Sequence, residues 1–379
     1  MLLETTPDQD FFRDTTARFL SSQVPSSTLR LLRDNPAGYD AEYWRRGAEL
    51  GWTSLLVDKA HGGGTISERG LVDLTLVAYE FGRTAAPGPL TPTNVVAALL
   101  SNYSGERTDQ VLEQLLSGTS TAAWCFTEPQ ANSLVSTPPL EIRVEGNDVM
   151  VSGVKRPVEA AQTADILLVT GQSGDSAAQV LMPVDTPGVH VKPLRSIDLT
   201  RRYAEVTFDN VRLPRSSMIG DAADAARDIE RSRQLAIVLS CAESVGAMHA
   251  AFDLTVAWAF DRYSFGRPLA SYQELKHRFA DMKTWLEASH GLADAAAAAV
   301  AADSPDSAEL TSAAHAYIGD RGGELLQDCV QIHGGIGVTF EHDLHLFMRR
   351  AAANRSSYGT PAEHRQLIAA IAIREESTR

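Results

Sequence analysis

Apolar and polar positions follow two different periods along this chain, and the period changes twice. Through the first 120 residues the texture is helical. PDQDFFRDTTARFLSSQ opens after Pro7 and carries apolar Phe11, Phe12, Ala17 and Leu20. AEYWRRGAELGW predicts a short amphipathic helix ended near Gly51, and RGLVDLTLVAYEFGR another ended near Gly82. PGPLTP is a proline-rich connection, and NVVAALLSNY opens a further helix with Asn94 as its cap.

From Thr121 to about Pro214 the pattern becomes strand-like. TAAWCF, LEIRVE, DVMVSG, ILLVT, AQVLMPV, GVHVKPL and AEVTFDNVRLP are short, rich in Val, Ile and Leu, and separated by turn residues. EGND, between LEIRV and VMVSG, is a hairpin signal. Seven such segments predict a small antiparallel barrel or sandwich. After Gly220 the helical period returns. One long pattern covers about 226–262, with apolar Leu235, Val238, Leu239, Ala242, Val245, Met248, Phe252 and Val256. Three more helices are expected at about 271–302, 307–330 and 361–374, and four long helices with short links predict an up-and-down bundle. The fold class is therefore α+β: an N-terminal helical domain (1–120), a middle β domain or barrel (121–220) and a C-terminal four-helix bundle (221–379). Clefts between such parts are where ligands bind.

Composition narrows the functional classes. The 379 residues suffice for two or three structural units, and 44% hydrophobic with 22% charged residues is ordinary for a globular protein. A net charge of -14 argues against sequence-independent nucleic-acid binding, which needs clustered Lys and Arg. No run of about 20 apolar residues is evident, so no membrane span is expected. MLLETTPDQDFF has acids where a secretory signal has bases, so a cytoplasmic location is expected. Cys125, Cys241 and Cys329 lie far apart, reading as free core thiols, and the histidines show no ligand spacing, so no metal site is expected.

Several short motifs carry candidate chemistry. HGGGT at 61–65 matches a hydrolase oxyanion loop, but no G-x-S-x-G elbow accompanies it, which leaves a surface turn. Neither nucleotide-cradling glycine loop is present. WCFTEP at 124–129 ends a strand whose backbone suits either the polar edge of a flat cofactor or a plain capped turn. In DRYSFGRPLASYQELKHR, Arg262 suits a phosphate held by two hydrogen bonds, or a charge at a helix C-terminus. In QIHGGIG at 331–337, adjacent glycines allow backbone to approach a ligand, or simply cap a helix.

In this order, ELGWTSLLVDKAHGGG, CFTEP, DLTRRYAEVTFDNVRLP, the R-x-x-F-G-x-x-L-x-x-x-Q junction and QIHGGIG resemble the acyl-CoA dehydrogenase family over nearly the whole chain. The nearest flavour is the actinobacterial subunit type that degrades sterol side chains or similar bulky acyl-CoAs. The resemblance implies an FAD-dependent enzyme that removes hydrogens from Cα and Cβ of an acyl-CoA and passes electrons to electron-transfer flavoprotein or a similar acceptor. It implies FAD between the β domain and the bundle, at a subunit interface. Phe126 and Thr127 would line the flavin, with Ser133 near its phosphates or the thioester. Arg262, Phe265, Gln273, Gln331, Gly334 and Gly335 would reach the adenosine-diphosphate part of an FAD held mainly by a neighbouring subunit, and Thr360 would sit by the cofactor.

The same resemblance exposes departures. The family usually carries its glutamate base directly before the Gly-Thr step, where this chain has Tyr358. Ionising a tyrosine at pH 7 needs about three pKa units, roughly 4 kcal/mol. A second family location for the base, on the long helix, falls at Ala236 or its neighbours Leu235 and Ile237, with Glu230 six residues earlier and Glu243 as an alternative on an apolar stretch. The family's Gly-x-Lys-x-Trp-Ile-Thr strand reads GVKRPVE, with Pro157 and Glu159 in place of the tryptophan and threonine. The expectation is a hetero-oligomer: this chain lacks its own base and completes the FAD site of a related partner. The alternatives are a self-sufficient homotetramer with a relocated glutamate, and a non-redox acyl-CoA-binding use of the fold.

Overall fold

The computed structural model describes residues 4–129 and 140–378. In chain order it holds α1 (Pro7–Gln23), α2 (Ser26–Leu31), α3 (Ala41–Glu49), α4 (Gly70–Thr84), α5 (Leu90–Leu100) and α6 (Glu106–Leu116). The strands follow: β1 (Ala122–Cys125), β2 (Glu141–Glu145), β3 (Asp148–Glu159), β4 (Ile166–Ser173), β5 (Ser176–Pro183), β6 (Val189–Leu194), β7 (Tyr203–Pro214) and β8 (Met218–Ile219). Then come α7 (Ala222–Asp261), the two-residue strands β9 (Tyr263–Ser264) and β10 (Arg267–Pro268), α8 (Gln273–Ala301), α9 (Ser307–His333), α10 (Leu344–Ser356) and α11 (Pro361–Thr378). Two compact units result. One gathers residues 1–30, 71–86 and 237–379; the other gathers 31–70 and 87–236.

In the second unit the strands form one mixed sheet in the order β6-β7-β3-β2-β4-β5-β8, with β1 also on β4. The seven expected strands are all present, and the β2–β3 hairpin turns at Gly146-Asn147 with Glu145 opposite Asp148. The sheet is not wholly antiparallel as expected, because β1 and β2 both run parallel to β4. The inward residues Val149, Val151, Val158, Ala204, Val206, Phe208 and Val211 alternate along β3 and β7 and build the core with Leu167, Val169 and Val180. β3 is irregular against β7 between Lys155 and Val158. α5 begins at Leu90, four residues before the expected cap: Asn94 lies buried inside the helix, where its amide donates to the carbonyls of Trp52 (3.0 Å) and Leu90 (2.9 Å).

In the first unit α1 opens on a capping box, Thr6 with Gln9, and α11 on another, Thr360 with Glu363. The four expected long helices appear as α7, α8, α9 and α11, and α10 is a fifth between the last two. α7 is long and apolar enough to cross a membrane by composition, which the absence of an obvious apolar run did not anticipate; 89% of its most apolar stretch is buried, as in a core helix. α4 runs past Gly82 to Thr84, because that glycine serves packing rather than termination. A Cβ on Gly82 would stand 1.9 Å from the Glu243 carbonyl oxygen, and one on Gly246 2.0 Å from that of Tyr79. The two helices therefore meet backbone to backbone. Gly246→Ala is expected to lower stability by about 2 kcal/mol, since neither obstructing group can rotate away; an unchanged urea midpoint would show that the helices part without cost.

Candidate active site

The CFTEP segment and β3 are locked together inside the second unit. The Lys155 ammonium, fully buried, donates to the Phe126 carbonyl (3.0 Å) and to Glu128 (2.9 Å). The same Glu128 oxygen accepts from the Leu140 amide (2.7 Å), and the Arg156 amide donates to the Thr127 carbonyl (2.7 Å). Burial pushes Lys155 down to about 8, against the pull of Glu128. Phe126 is buried and stacks on Trp124 at 4.6 Å, while Thr127 is half-buried. Ser133 lies outside the described residues. Further along β3, Glu159 forms an ion pair with buried Arg201.

In the first unit, Tyr358 and Gly359 make the corner between α10 and α11, both with positive φ (58° and 126°). Two buried histidines hold this corner. His315 Nε2 donates to the Ser357 carbonyl (3.0 Å), His364 Nε2 to that of Tyr358 (3.2 Å), and the rings stack at 4.3 Å. Thr360 is exposed, and its hydroxyl is engaged by Glu363 in the capping box.

The two candidate acids on α7 are both committed. Glu243 is buried, with one oxygen accepting from Arg350 (2.7 Å) and the other from Asn354 (2.9 Å). Arg350 also donates to the Ala86 carbonyl (2.9 Å). Glu230 is half-exposed and holds Arg233 through both oxygens (2.8 and 2.9 Å). Ala236 is fully buried.

The remaining expected residues fall on two stretches of the first unit, 262–273 and 331–335. Arg262 is exposed, with its guanidinium 5.9 Å over the Trp258 ring and no carboxylate partner among the described residues. Trp258 stacks on His333 at 5.2 Å, which ties Arg262 to the turn at Gly334. Gly334 (φ 66°) and Gly335 are exposed, with nothing within 4 Å of where a Cβ would stand. Packing therefore does not demand these glycines, and the space over them is open to an approaching group. Gln273 and Gln331 are exposed, and Phe265 is 98% exposed with φ 47°. A free guanidinium, open glycine backbone and two amides fit a diphosphate and its nucleoside. On the β3 side the fit to a flavin fails: Pro157 offers no N–H, and Glu159 places a carboxylate, neutralised by Arg201, where a neutral hydroxyl is expected.

Sequence reasoning missed Lys155–Glu128, Arg201, the His315–His364 pair and Arg350–Asn354. A lysine within the apolar strand β3 signals the first; the others join positions far apart in the chain.

This order of elements defines the chain's class. Residues 6–119 match the acyl-CoA dehydrogenase N-terminal domain and residues 227–373 the acyl-CoA dehydrogenase C-terminal domain. The chain belongs to the acyl-CoA dehydrogenase family, oxidoreductases that act on acyl-CoA with FAD as cofactor. Among relatives it is similar to acyl-CoA dehydrogenase IpdE2 of Mycobacterium tuberculosis, 30% identical over 94% of each chain. Its fold is shared with a glutaryl-CoA dehydrogenase from Mycobacterium smegmatis in complex with FADH2 (TM-score 0.85, 20% identical, 96% of this chain and 94% of that one). It is shared also with a variant of the Tcur3481-Tcur3483 steroid ACAD (TM-score 0.87, 22% identical, 98% and 99%).

Proposed function

We propose that this chain is a subunit of an FAD-dependent acyl-CoA dehydrogenase that lacks its own catalytic base and completes the FAD site of a related partner subunit. The observation that carries this reading is the state of the acids: Tyr358 stands where the family carries glutamate, and Glu243 is neutralised by Arg350. A base must be free to accept the α-proton. Glu243 is buried, with one oxygen on the Arg350 guanidinium and the other on the Asn354 amide, and it cannot turn toward a substrate without breaking both contacts. FAD held at the shared site would supply the acceptor for the hydride from Cβ.

This chain's own residues then do three things. Arg262 pairs with diphosphate oxygens, Gly334 and Gly335 let backbone reach them, and Gln273 and Gln331 address the nucleoside. Phe265, Tyr263 and Phe260, all more than 60% exposed, form an apolar surface for the partner to cover. Tyr358 shapes the acyl pocket, and Gly359 beside it allows the His364 ring to pack against the corner. A steroid-like acyl-CoA is supported by the name of the Tcur3481-Tcur3483 neighbour, itself written as a pair. Electron-transfer flavoprotein or a similar acceptor takes the electrons, and the complex works in the cytoplasm.

Expressed alone, the protein is expected to purify without flavin absorbance near 450 nm; co-expressed with a base-bearing relative, it is expected to give a yellow 1:1 complex with dehydrogenase activity. In that complex Glu230→Gln should leave turnover within about twofold. A fully flavinated, active lone chain would end the proposal, and a loss of several orders of magnitude in the Glu230→Gln complex would move the base to α7. A colourless but acyl-CoA-binding complex would assign a non-redox role instead.

A further inference from the structure

A pocket in the second unit is lined by none of the residues assigned to the candidate site. It is a cavity of about 370 Å³ between the α5–α6 turn (Tyr103 to Thr108), Leu181 of β5 and the Ser216–Gly220 segment around β8. Its polar centre is Arg107. The guanidinium donates to Ser217 Oγ (2.6 Å) and to the Leu181 carbonyl (3.1 Å), both neutral acceptors. No carboxylate pairs with it among the described residues. Burial depresses its pKa, with no neighbouring charge opposing the shift. A partly desolvated cation without a counter-charge is a cost to the fold that a bound anion would offset.

The surroundings narrow the anion. Ser217 is 1% exposed and accepts from Arg107, and no acceptor for its own proton stands within reach among the described residues. It can therefore donate to an anion that Arg107 holds. Ser104 and Ser216 add two more hydroxyls to the wall, while Thr108 Oγ1 is already spent on the Gly105 carbonyl (2.8 Å). Leu181, Met218 and Ile219 line the rest, and the Tyr103 ring closes one side, its phenol donating to Asp228. Glu106 stands on the rim, while Asp228, behind Tyr103, is paired with Arg227. A single cation with a carboxylate at the pocket rim favours a singly charged ligand over a phosphate dianion.

We propose that this cavity binds a small organic carboxylate, its carboxylate on Arg107 and the Ser217 hydroxyl and its apolar body against Leu181, Met218 and Ile219. The site is separate from the thioester chemistry and independent of how the flavin is shared.

The test is titration of the full-length chain, in its complex if that is the soluble form, by calorimetry and by thermal shift. Benzoate is the probe, benzyl alcohol its neutral isostere and inorganic phosphate the dianion control. Benzoate is expected to bind saturably and raise the melting temperature. Arg107→Gln should weaken it about tenfold or more, and Ser217→Ala, which deletes a single hydroxyl, severalfold, with far-UV circular dichroism unchanged in both. Benzyl alcohol and phosphate should not compete. Benzoate binding that is absent, or equal in wild type and Arg107→Gln, overturns the site; phosphate binding with the same Arg107 dependence overturns the carboxylate class. If Arg107→Gln does not fold, Ser217→Ala and the benzyl alcohol comparison decide alone.

Discussion

Replacing Arg350 by methionine is expected to cost about 3–5 kcal/mol of folding stability, the range for stripping one partner from a buried ion pair. Both side chains are essentially inaccessible, at 0% for Arg350 and 3% for Glu243. Without the guanidinium, the buried Glu243 charge loses its Arg350 partner and retains the neutral amide of Asn354. The Ala86 carbonyl loses a donor at the same time. The double substitution Glu243→Gln with Arg350→Met removes both charges and should recover most of the loss. The measurement is the urea midpoint of the three variants. If the single and double variants are equally destabilised, the damage is lost packing around α10 and the ion pair is energetically idle.

The second large effect depends on pH. Glu80 is buried on α4 and its carboxylate has no hydrogen-bond or ion-pair partner among the described residues; burial lifts its pKa to about 7, with Arg83 and then Arg13 pulling the other way. The folded-state value lies above the unfolded one, near 4.5. The native chain therefore binds more protons between those limits, and stability falls as pH rises from 4.5 to 7. Glu80→Gln copies the protonated form. It should be near neutral at pH 4.5 and gain up to about 3 kcal/mol over wild type above pH 7, from a shift of about 2.5 units. Urea melts of both proteins at pH 5 and pH 8 check this; a difference that does not grow with pH would mean the carboxylate is solvated.

Much of the fold was legible because its signals are local. The seven β segments announce themselves by β-branched runs between turn residues, and EGND fixes the β2–β3 hairpin by its own geometry. α10 was missed because two of its inward positions, Arg350 and Asn354, are polar and break the apolar stripe. Asn94 misled for the same reason: a fully buried amide reads as a cap when its acceptor, the Trp52 carbonyl, is invisible. The candidate site was legible as residue types: an arginine, adjacent glycines, and the missing acid at Tyr358. Its commitments were not. Glu243 and Arg350 stand 107 residues apart, and only the folded chain reveals that the acid is neutralised.

The contact of α4 with α7 at Gly82 and Gly246 has a consequence for biosynthesis. α4 leaves the ribosome early, yet the helix backbone it needs is translated far later, after the whole β sheet. At about 5–20 residues per second, its apolar surface waits on the order of 10–30 s without cover. Nascent chains of this protein should therefore be clients of holding chaperones over that interval, and gene fragments that stop before α7 should aggregate.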